Sequence, residues 1–97
     1  MWLHPSAPLA PTGLKSDTKT DTTIKISWTP VTDSRGIKAY EVYQDGVKKA
    51  SPTTATYTAS GLTANTAYKF KVKAVANDDM VSDFSTELAV TTNATAG

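Results

Sequence analysis

Apolar and polar residues alternate along four segments of the chain. These segments begin at Ile24, Tyr40, Tyr68 and Leu88, and each contains two to four apolar residues at every second position. A period of two is that of a β-strand with one face in a core and the other in water. No segment repeats with the 3.6-residue period of an amphipathic helix. The pattern predicts an all-β protein.

Turn signals between these segments raise the number of predicted strands to seven. Asp45-Gly46 favours a type I′ hairpin turn, in which both central residues have positive φ. Pro52 ends the short strand that follows, because proline cannot donate to a ladder. The polar stretch 77–83 is predicted to be the loop before the last strand. Seven short strands with frequent turns are typical of an antiparallel β-sandwich.

The position of Ile37 conflicts with this alternation. Ile37 and Tyr40 are three residues apart, so they cannot both face inward on a regular strand. Either Ile37 lies in the preceding loop, or a bulge shifts the register of the strand. We expect Ile37 to lie in the loop.

Composition and charge limit the functions that the chain can have. Its 97 residues are enough for one domain, and ten Lys and Arg against nine Asp and Glu give a net charge of +1. We therefore expect no nucleic-acid partner, since such partners favour a clustered basic surface. There is no cysteine, which excludes disulfides and thiolate metal sites. No apolar run approaches the length of a membrane span, so we expect no membrane partner.

Threonine is the most unusual residue in the composition, with 17 copies. Its branched, hydroxyl-bearing side chain suits the solvated face of a sheet. We expect several threonines, among them Thr91 and Thr92, to lie at strand edges or outward positions. Pro5, Pro8 and Pro11 predict an extended start to the chain. We expect residues 1–7 to be a tail or linker, 8–92 the domain, and 93–97 a second linker, as in a module excised from a longer chain.

Three features together resemble the fibronectin type III family. Trp28 ends the second strand, where the family has its core tryptophan, and the stretch Ser60–Tyr68 resembles the corner between its fifth and sixth strands. The following run, Tyr68–Val75, resembles the sixth strand itself. The resemblance covers about residues 7–92. It implies a seven-stranded, immunoglobulin-like antiparallel sandwich.

The resemblance also implies structural roles for particular residues. The Tyr68 hydroxyl is expected to hydrogen-bond to the backbone near Leu62, with a carbonyl of the corner as its partner. We expect Tyr57 and Ala59 to face inward on the fifth strand. The remaining predicted core residues are Trp28, Tyr40, Val42, Leu62, Tyr68, Phe70 and Val72, with Leu14, Ile24, Ile26, Leu88 and Val90 closing the core.

The stretch Trp28–Gly46 is similar to the fibronectin type III modules of secreted bacterial glycoside hydrolases. That similarity implies an extracellular, monomeric module of a polysaccharide-degrading enzyme, with neighbouring domains of the same chain as its partners. The integrin-binding tripeptide Arg-Gly-Asp is absent, because Arg35-Gly36 is followed by Ile37.

The sequence offers no convincing chemistry. The only histidine is His4, in the proline-rich start, and Glu41 and Glu87 occupy outward strand positions that do not suit paired catalytic carboxylates. Asp78, Asp79 and Asp83 do not have the spacing of a calcium loop. We therefore predict no catalytic residue, no cofactor and no metal site.

Four residues are retained as a possible contact surface. Tyr43 is an outward tyrosine that can stack on a sugar, although a lone tyrosine is a poor platform. Arg35, Asp78 and Asp79 lie in the loops that follow the second and sixth strands. Lys69, Lys71 and Lys73 form a basic stripe that we interpret as a solvated face.

Two functions follow from this reading. The first is a non-catalytic spacer and interaction module of a larger secreted bacterial protein. The alternative is a ligand-recognition module, for a glycan or a protein, of a cell-surface or virion protein.

Overall fold

The computed structural model describes residues 7–94, which form seven β-strands. Residues 7–94 contain no helix, and hence none long and apolar enough to cross a membrane. The strands are β1 (Thr12–Lys19), β2 (Ile24–Thr29), β3 (Ile37–Gln44), β4 (Val47–Ala50), β5 (Thr56–Ala59), β6 (Ala67–Ala76) and β7 (Leu88–Thr91).

The strands form two antiparallel sheets that pack face to face. One sheet has the order β1-β2-β5, and the other has the order β4-β3-β6-β7. The predicted all-β sandwich is confirmed.

Alternation along the central strands places the core between the sheets. On β2, Ile24, Ile26 and Trp28 are buried, and Lys25 between them is exposed. On β6, Phe70 and Val72 are fully buried. Each large apolar side chain buried in this way stabilises the fold by about 1.5–3 kcal/mol.

Ile37 was predicted to lie in a loop, and that prediction is wrong. It is the first residue of β3 and pairs with Ala76. The register between β3 and β6 shifts between Ile37 and Ala39. This irregularity resets the alternation, so Ile37 packs against the core while Tyr40 still faces inward.

The Asp45-Gly46 turn has the predicted type I′ signature, with φ of 52° and 84°. The backbone N–H of Asp45 donates to the Lys69 carbonyl at 2.8 Å. In return, the Lys69 N–H donates to Asp45 Oδ1 at 2.9 Å. These two bonds fix the tip of the hairpin against the start of β6.

The segment between β6 and β7 continues alongside β6 without forming a regular strand. Ser82 and Ser85 are buried in this segment, and their N–H groups donate to the carbonyls of Ala74 and Val72. Their hydroxyls accept the N–H groups of the same two residues, at 2.8 and 3.0 Å. Because serine hydroxyls take the place of strand carbonyls, β6 stays satisfied while the residues between the serines, including Phe84, are exposed.

The Tyr68 hydroxyl has a different backbone partner from the one predicted. It accepts the N–H of Thr63 at 2.8 Å, whereas a carbonyl was expected. The chain turns so that this N–H, rather than a carbonyl, is directed at the hydroxyl oxygen. Leu62 is half-buried against the core, and its N–H donates to the Thr22 carbonyl at 2.9 Å.

Thr92 was expected at a strand edge or an outward position; it lies directly after β7, but it does not face outward. Its side chain is buried, donates to the Thr63 carbonyl at 2.6 Å and accepts the Thr66 N–H at 3.0 Å. Val90 is buried, Thr91 is exposed and Thr92 is buried, so the two-residue alternation of β7 continues one residue past the end of the strand. The hydroxyl turns inward to satisfy backbone groups of the corner.

Candidate functional site

The two ends of the sandwich are named here by the direction of β1. The N-terminal pole is where β1 begins, beside the loops 30–36 and 77–80. The C-terminal pole is where β1 ends, beside the loops 20–23 and 60–66.

Arg35 holds the two loops of the N-terminal pole together. Its Nε and Nη2 donate to the two carboxylate oxygens of Asp33 at 2.8 and 2.9 Å, a bidentate pair. Its Nη1 donates to Asp78 Oδ2 at 3.0 Å. One guanidinium therefore spans 43 residues of sequence and joins the loop before β3 to the loop after β6.

The charges of this cluster stabilise one another. Hydrogen bonds from the side chain and backbone of Arg35 lower the pKa of Asp33 to about 2. The pKa of Asp78 is lowered mainly by the backbone N–H of Met80, with Arg35 as a further cause. The same carboxylates raise the pKa of the Arg35 guanidinium. Asp33 and Arg35 are 14% and 24% exposed at their side chains, so little of either charge is presented to a partner.

Neighbouring residues complete what we call the Arg35 clamp, which consists of Asp33, Arg35, Lys38, Asn77, Asp78 and Asp79. The side-chain amide of Asn77 donates to the Arg35 carbonyl at 2.6 Å, and Lys38 pairs with Asp79. Gly36 has a φ of 81°, and a Cβ there would stand 2.5 Å from Asn77 Nδ2. Only glycine fits this position without moving the amide.

The structure therefore brings together three of the four residues proposed as a contact surface. Arg35, Asp78 and Asp79 belong to the clamp and bond within the domain. The fourth residue, Tyr43, lies near the end of β3, on the outward face of the four-stranded sheet and beside the β3–β4 turn. The sequence could not show this separation, because it depends on which loops meet at each pole.

Tyr43 is not the lone tyrosine that was expected. Phe84 lies edge-on to it, with ring centroids 4.9 Å apart and an interplanar angle of 87°. The ammonium of Lys73 lies 4.3 Å from the Phe84 centroid and 5.6 Å from that of Tyr43, and Lys71 lies 5.1 Å from Phe84. We call these four residues the aromatic patch. Two lysines of the basic stripe, Lys71 and Lys73, thus make cation–π contacts.

Phe84 was missed because it lies outside any alternating segment. The available signal was the spacing of Ser82 and Ser85, which face β6 and so leave the residues between them outside. This spacing predicts an exposed Phe84 only if both serines are known to bond to β6.

A solvent-open groove of about 420 Å³ borders the aromatic patch. It runs from the β3–β4 turn across the start of β6. Its walls are Tyr43, Asp45, Gly46, Lys69, Lys71 and Glu87.

Each of the two glutamates is paired with a lysine. Glu41 accepts from Lys48 and from the Tyr43 hydroxyl, both at 3.3 Å. Glu87 is paired with Lys71 at 3.7 Å. Both carboxylates are thus held at outward positions by neighbouring groups. Among residues 7–94, no three metal-binding side chains are grouped closely enough to hold an ion, and His4 lies outside the described residues.

Comparison with known families and proteins gives consistent matches. The model of the fibronectin type III domain matches residues 9–91. Chitinase Chi52 of Paenibacillus xylanexedens is 45% identical over 86 residues, which are 89% of this chain and 16% of that protein. Exoglucanase B of Cellulomonas fimi is 44% identical over 89 residues, which are 90% of this chain and 8% of that protein. The chain thus spans a small part of these relatives.

Solved structures show the same fold. Chitinase ChiA74 from Bacillus thuringiensis aligns with a TM-score of 0.83 and 30% identity, over 94% of this chain and 14% of that one. The fibronectin type III domain of a human protein, fibronectin type III domain containing protein 3, aligns with a TM-score of 0.82 at 24% identity. It covers 98% of this chain and 94% of that domain.

Proposed function

This chain belongs to the fibronectin type III family, and from that premise we propose that it is a non-catalytic spacer of a larger, secreted, polysaccharide-degrading enzyme. Its similarity to regions of chitinases and an exoglucanase supports that setting. Its proposed partners are the domains before and after it, and it acts as a monomer outside the cell.

The path of the chain carries this proposal. β1 starts opposite Thr29 at the N-terminal pole and runs to Lys19 at the C-terminal pole. After the last strand, Asn93 donates its backbone N–H to the Thr20 carbonyl and its amide to the Lys19 carbonyl. The chain therefore enters at one pole and leaves at the other. An eight-residue strand separates the two by about 25 Å.

Contacts within each pole hold its loops and the chain that passes through it in place. The Arg35 clamp ties the loops of the N-terminal pole to each other. Thr92 and Asn93 tie the departing chain to the C-terminal pole. Domains attached at the two ends would be held apart by a body that resists bending within itself, unlike a Gly/Ser linker.

The test is made in the parent enzyme. The module is replaced by a Gly/Ser segment of the same number of residues, and the distance between the flanking domains is measured by double electron–electron resonance. We expect one narrow distance with the native module and a broad distribution with the replacement. Hydrolysis of a soluble oligosaccharide should be the same in both. Equal distance distributions, or hydrolysis by the isolated domain, would overturn the proposal.

One observation favours the alternative function, ligand recognition. The aromatic patch and the groove beside it place an aromatic ring, hydrogen-bond donors and hydrogen-bond acceptors together on the outward face of the four-stranded sheet. A spacer alone does not need this arrangement.

A further inference from the structure

We propose that the groove beside Tyr43 binds a neutral glycan, with one pyranose ring stacked on the tyrosine. This binding is additional to the spacing role and does not depend on it. The inference rests on how the ring is held, on the charges around it and on the size of the groove.

The Tyr43 ring is fixed before any ligand arrives. Phe84 packs edge-on against it at 4.9 Å, and its hydroxyl donates to Glu41 Oε1 at 3.3 Å. Glu41 is itself held by Lys48 at 3.3 Å. A ring restrained from two sides loses little conformational entropy when a ligand stacks on it. The C–H face of a pyranose is a suitable partner for such an apolar surface.

The groove presents charged groups of both signs, which suits a neutral ligand with many hydroxyls. Lys69 and Lys71 supply donors, and Asp45 and Glu87 supply acceptors, so the four formal charges sum to zero. A polyanion would meet the two carboxylates, and a polycation would meet these two ammonium groups and that of Lys73, 5.6 Å from the Tyr43 centroid. Sugar hydroxyls both donate and accept, so they can bond to both kinds of group.

These polar groups are available to a ligand. One oxygen of Asp45 accepts the Lys69 N–H, which leaves the second oxygen for another donor. Lys71 and Glu87 are 3.7 Å apart, with side chains 40% and 41% exposed. A surface ion pair of this kind contributes little stability, so a ligand can open it at small cost.

The groove has room for a small oligosaccharide. Its volume of about 420 Å³ lies within the usual range for ligand sites, although it is open rather than enclosed. Gly46 borders it without a side chain, and a Cβ there would meet no atom within 4 Å. With one aromatic wall and an open side, we expect a Kd on the order of 1 mM.

The experiment is a titration of the ¹⁵N-labelled chain followed by amide chemical shifts. The probes are cellopentaose and chitopentaose, with oligogalacturonate as the anionic comparison, each up to about ten times the expected Kd. We expect at least one neutral probe to shift the amides of Tyr43, Gly46 and Lys71. Shifts confined to other surfaces, a stronger response to oligogalacturonate, or no shift with either neutral probe would overturn the proposal.

Matched variants assign the binding to the ring. Tyr43→Leu keeps an apolar side chain without a π face and should weaken binding about tenfold or more, whereas Tyr43→Phe should stay within about threefold. Lys25→Ala, on the outer face of the other sheet, should bind like the wild type. The unchanged amide spectrum away from the patch reports that each variant is folded. Wild-type affinity in Tyr43→Leu would contradict the proposal even if binding occurs.

Discussion

At each pole of the sandwich a tyrosine hydroxyl accepts a backbone N–H of a loop, but the surroundings of the two tyrosines differ. At the N-terminal pole, the Tyr40 hydroxyl accepts the backbone N–H of Val31 at 3.0 Å. At the C-terminal pole, the Tyr68 hydroxyl accepts the N–H of Thr63 at 2.8 Å. Tyr40 is buried and lies edge-on to Trp28 with ring centroids 5.4 Å apart, whereas Tyr68 is half-buried. Each tyrosine fixes a loop to a strand of the core.

The surroundings decide how each pole responds to conditions. The N-terminal pole adds the charged clamp of Arg35 and Asp33, so part of its order depends on ionisation. The C-terminal pole adds the neutral hydrogen bonds of Thr92. The two poles therefore differ in the groups added to the tyrosine, which are ionised at the N-terminal pole and a neutral hydroxyl at the C-terminal pole.

The largest effect is expected from removing the Trp28 side chain, which packs against Tyr40 at the N-terminal pole. Trp28→Ala should lower the free energy of unfolding by about 3–5 kcal/mol, because it leaves a cavity beside Tyr40. Urea denaturation followed by circular dichroism measures this change. Lys25→Ala, on the exposed face of the same strand, should stay within about 0.5 kcal/mol. A loss below about 1 kcal/mol for Trp28→Ala would place the tryptophan outside the core.

The second prediction compares the two tyrosines directly. Tyr40→Phe should cost about 2 kcal/mol and Tyr68→Phe about 1 kcal/mol, because the N–H left without a partner is better shielded from water at Val31 than at Thr63. The same denaturation measurement applies to both. Equal losses of unfolding free energy, or a larger loss for Tyr68→Phe, would show that burial does not make the Tyr40 hydrogen bond the more important of the two.

The third prediction concerns the neutral bonds of the C-terminal pole. Thr92→Val keeps the shape of the side chain but removes its hydroxyl, and should cost about 1 kcal/mol. The adjacent Thr91→Val, at an exposed position, is the matched control and should change stability by less than about 0.5 kcal/mol. If the two variants are equally stable, the buried hydroxyl does not hold the chain end.

The smallest effect is the pH dependence of the N-terminal pole. Because the folded pKa of Asp33 is about 2, below its ordinary value of 3.8, ionised Asp33 stabilises the folded state above about pH 4. This contribution falls as the pH drops from about 4 towards 2. Asp33→Asn should therefore lose less stability than the wild type over this interval, as measured by urea unfolding.

Thr92→Val serves as the control for that experiment, because it changes the other pole and removes no charge. It should retain the wild-type acid slope while lowering stability at every pH. An Asp33→Asn slope equal to that of the wild type would contradict a role for the clamp in acid sensitivity.

Much of this fold could be predicted because alternation reports which residues face the core. Ile24, Ile26 and Trp28 are buried as their spacing indicated, and Asp45-Gly46 forms the predicted turn. These features depend on short stretches of sequence.

The features that were wrong or missed depend on distant pairing. Ile37 joins β3 only because the register against β6 shifts. Thr92 is in phase with Leu88 and Val90, but alternation does not identify the partners of its hydroxyl, the backbone groups of Thr63 and Thr66 in the corner. Phe84 meets Tyr43 across β6, and its segment has no strand period. Alternation cannot reveal contacts that irregular segments make with strands far away in sequence.

The distance between the two poles is the most direct test of the spacer proposal. The chain contains no cysteine, so Thr12→Cys and Thr91→Cys, both at exposed positions, accept spin labels only where intended. Double electron–electron resonance should give one narrow distance of about 25–35 Å, set by the length of β1. A broad distribution, or a main distance well below this interval, would contradict a rigid module whose chain enters and leaves at opposite ends.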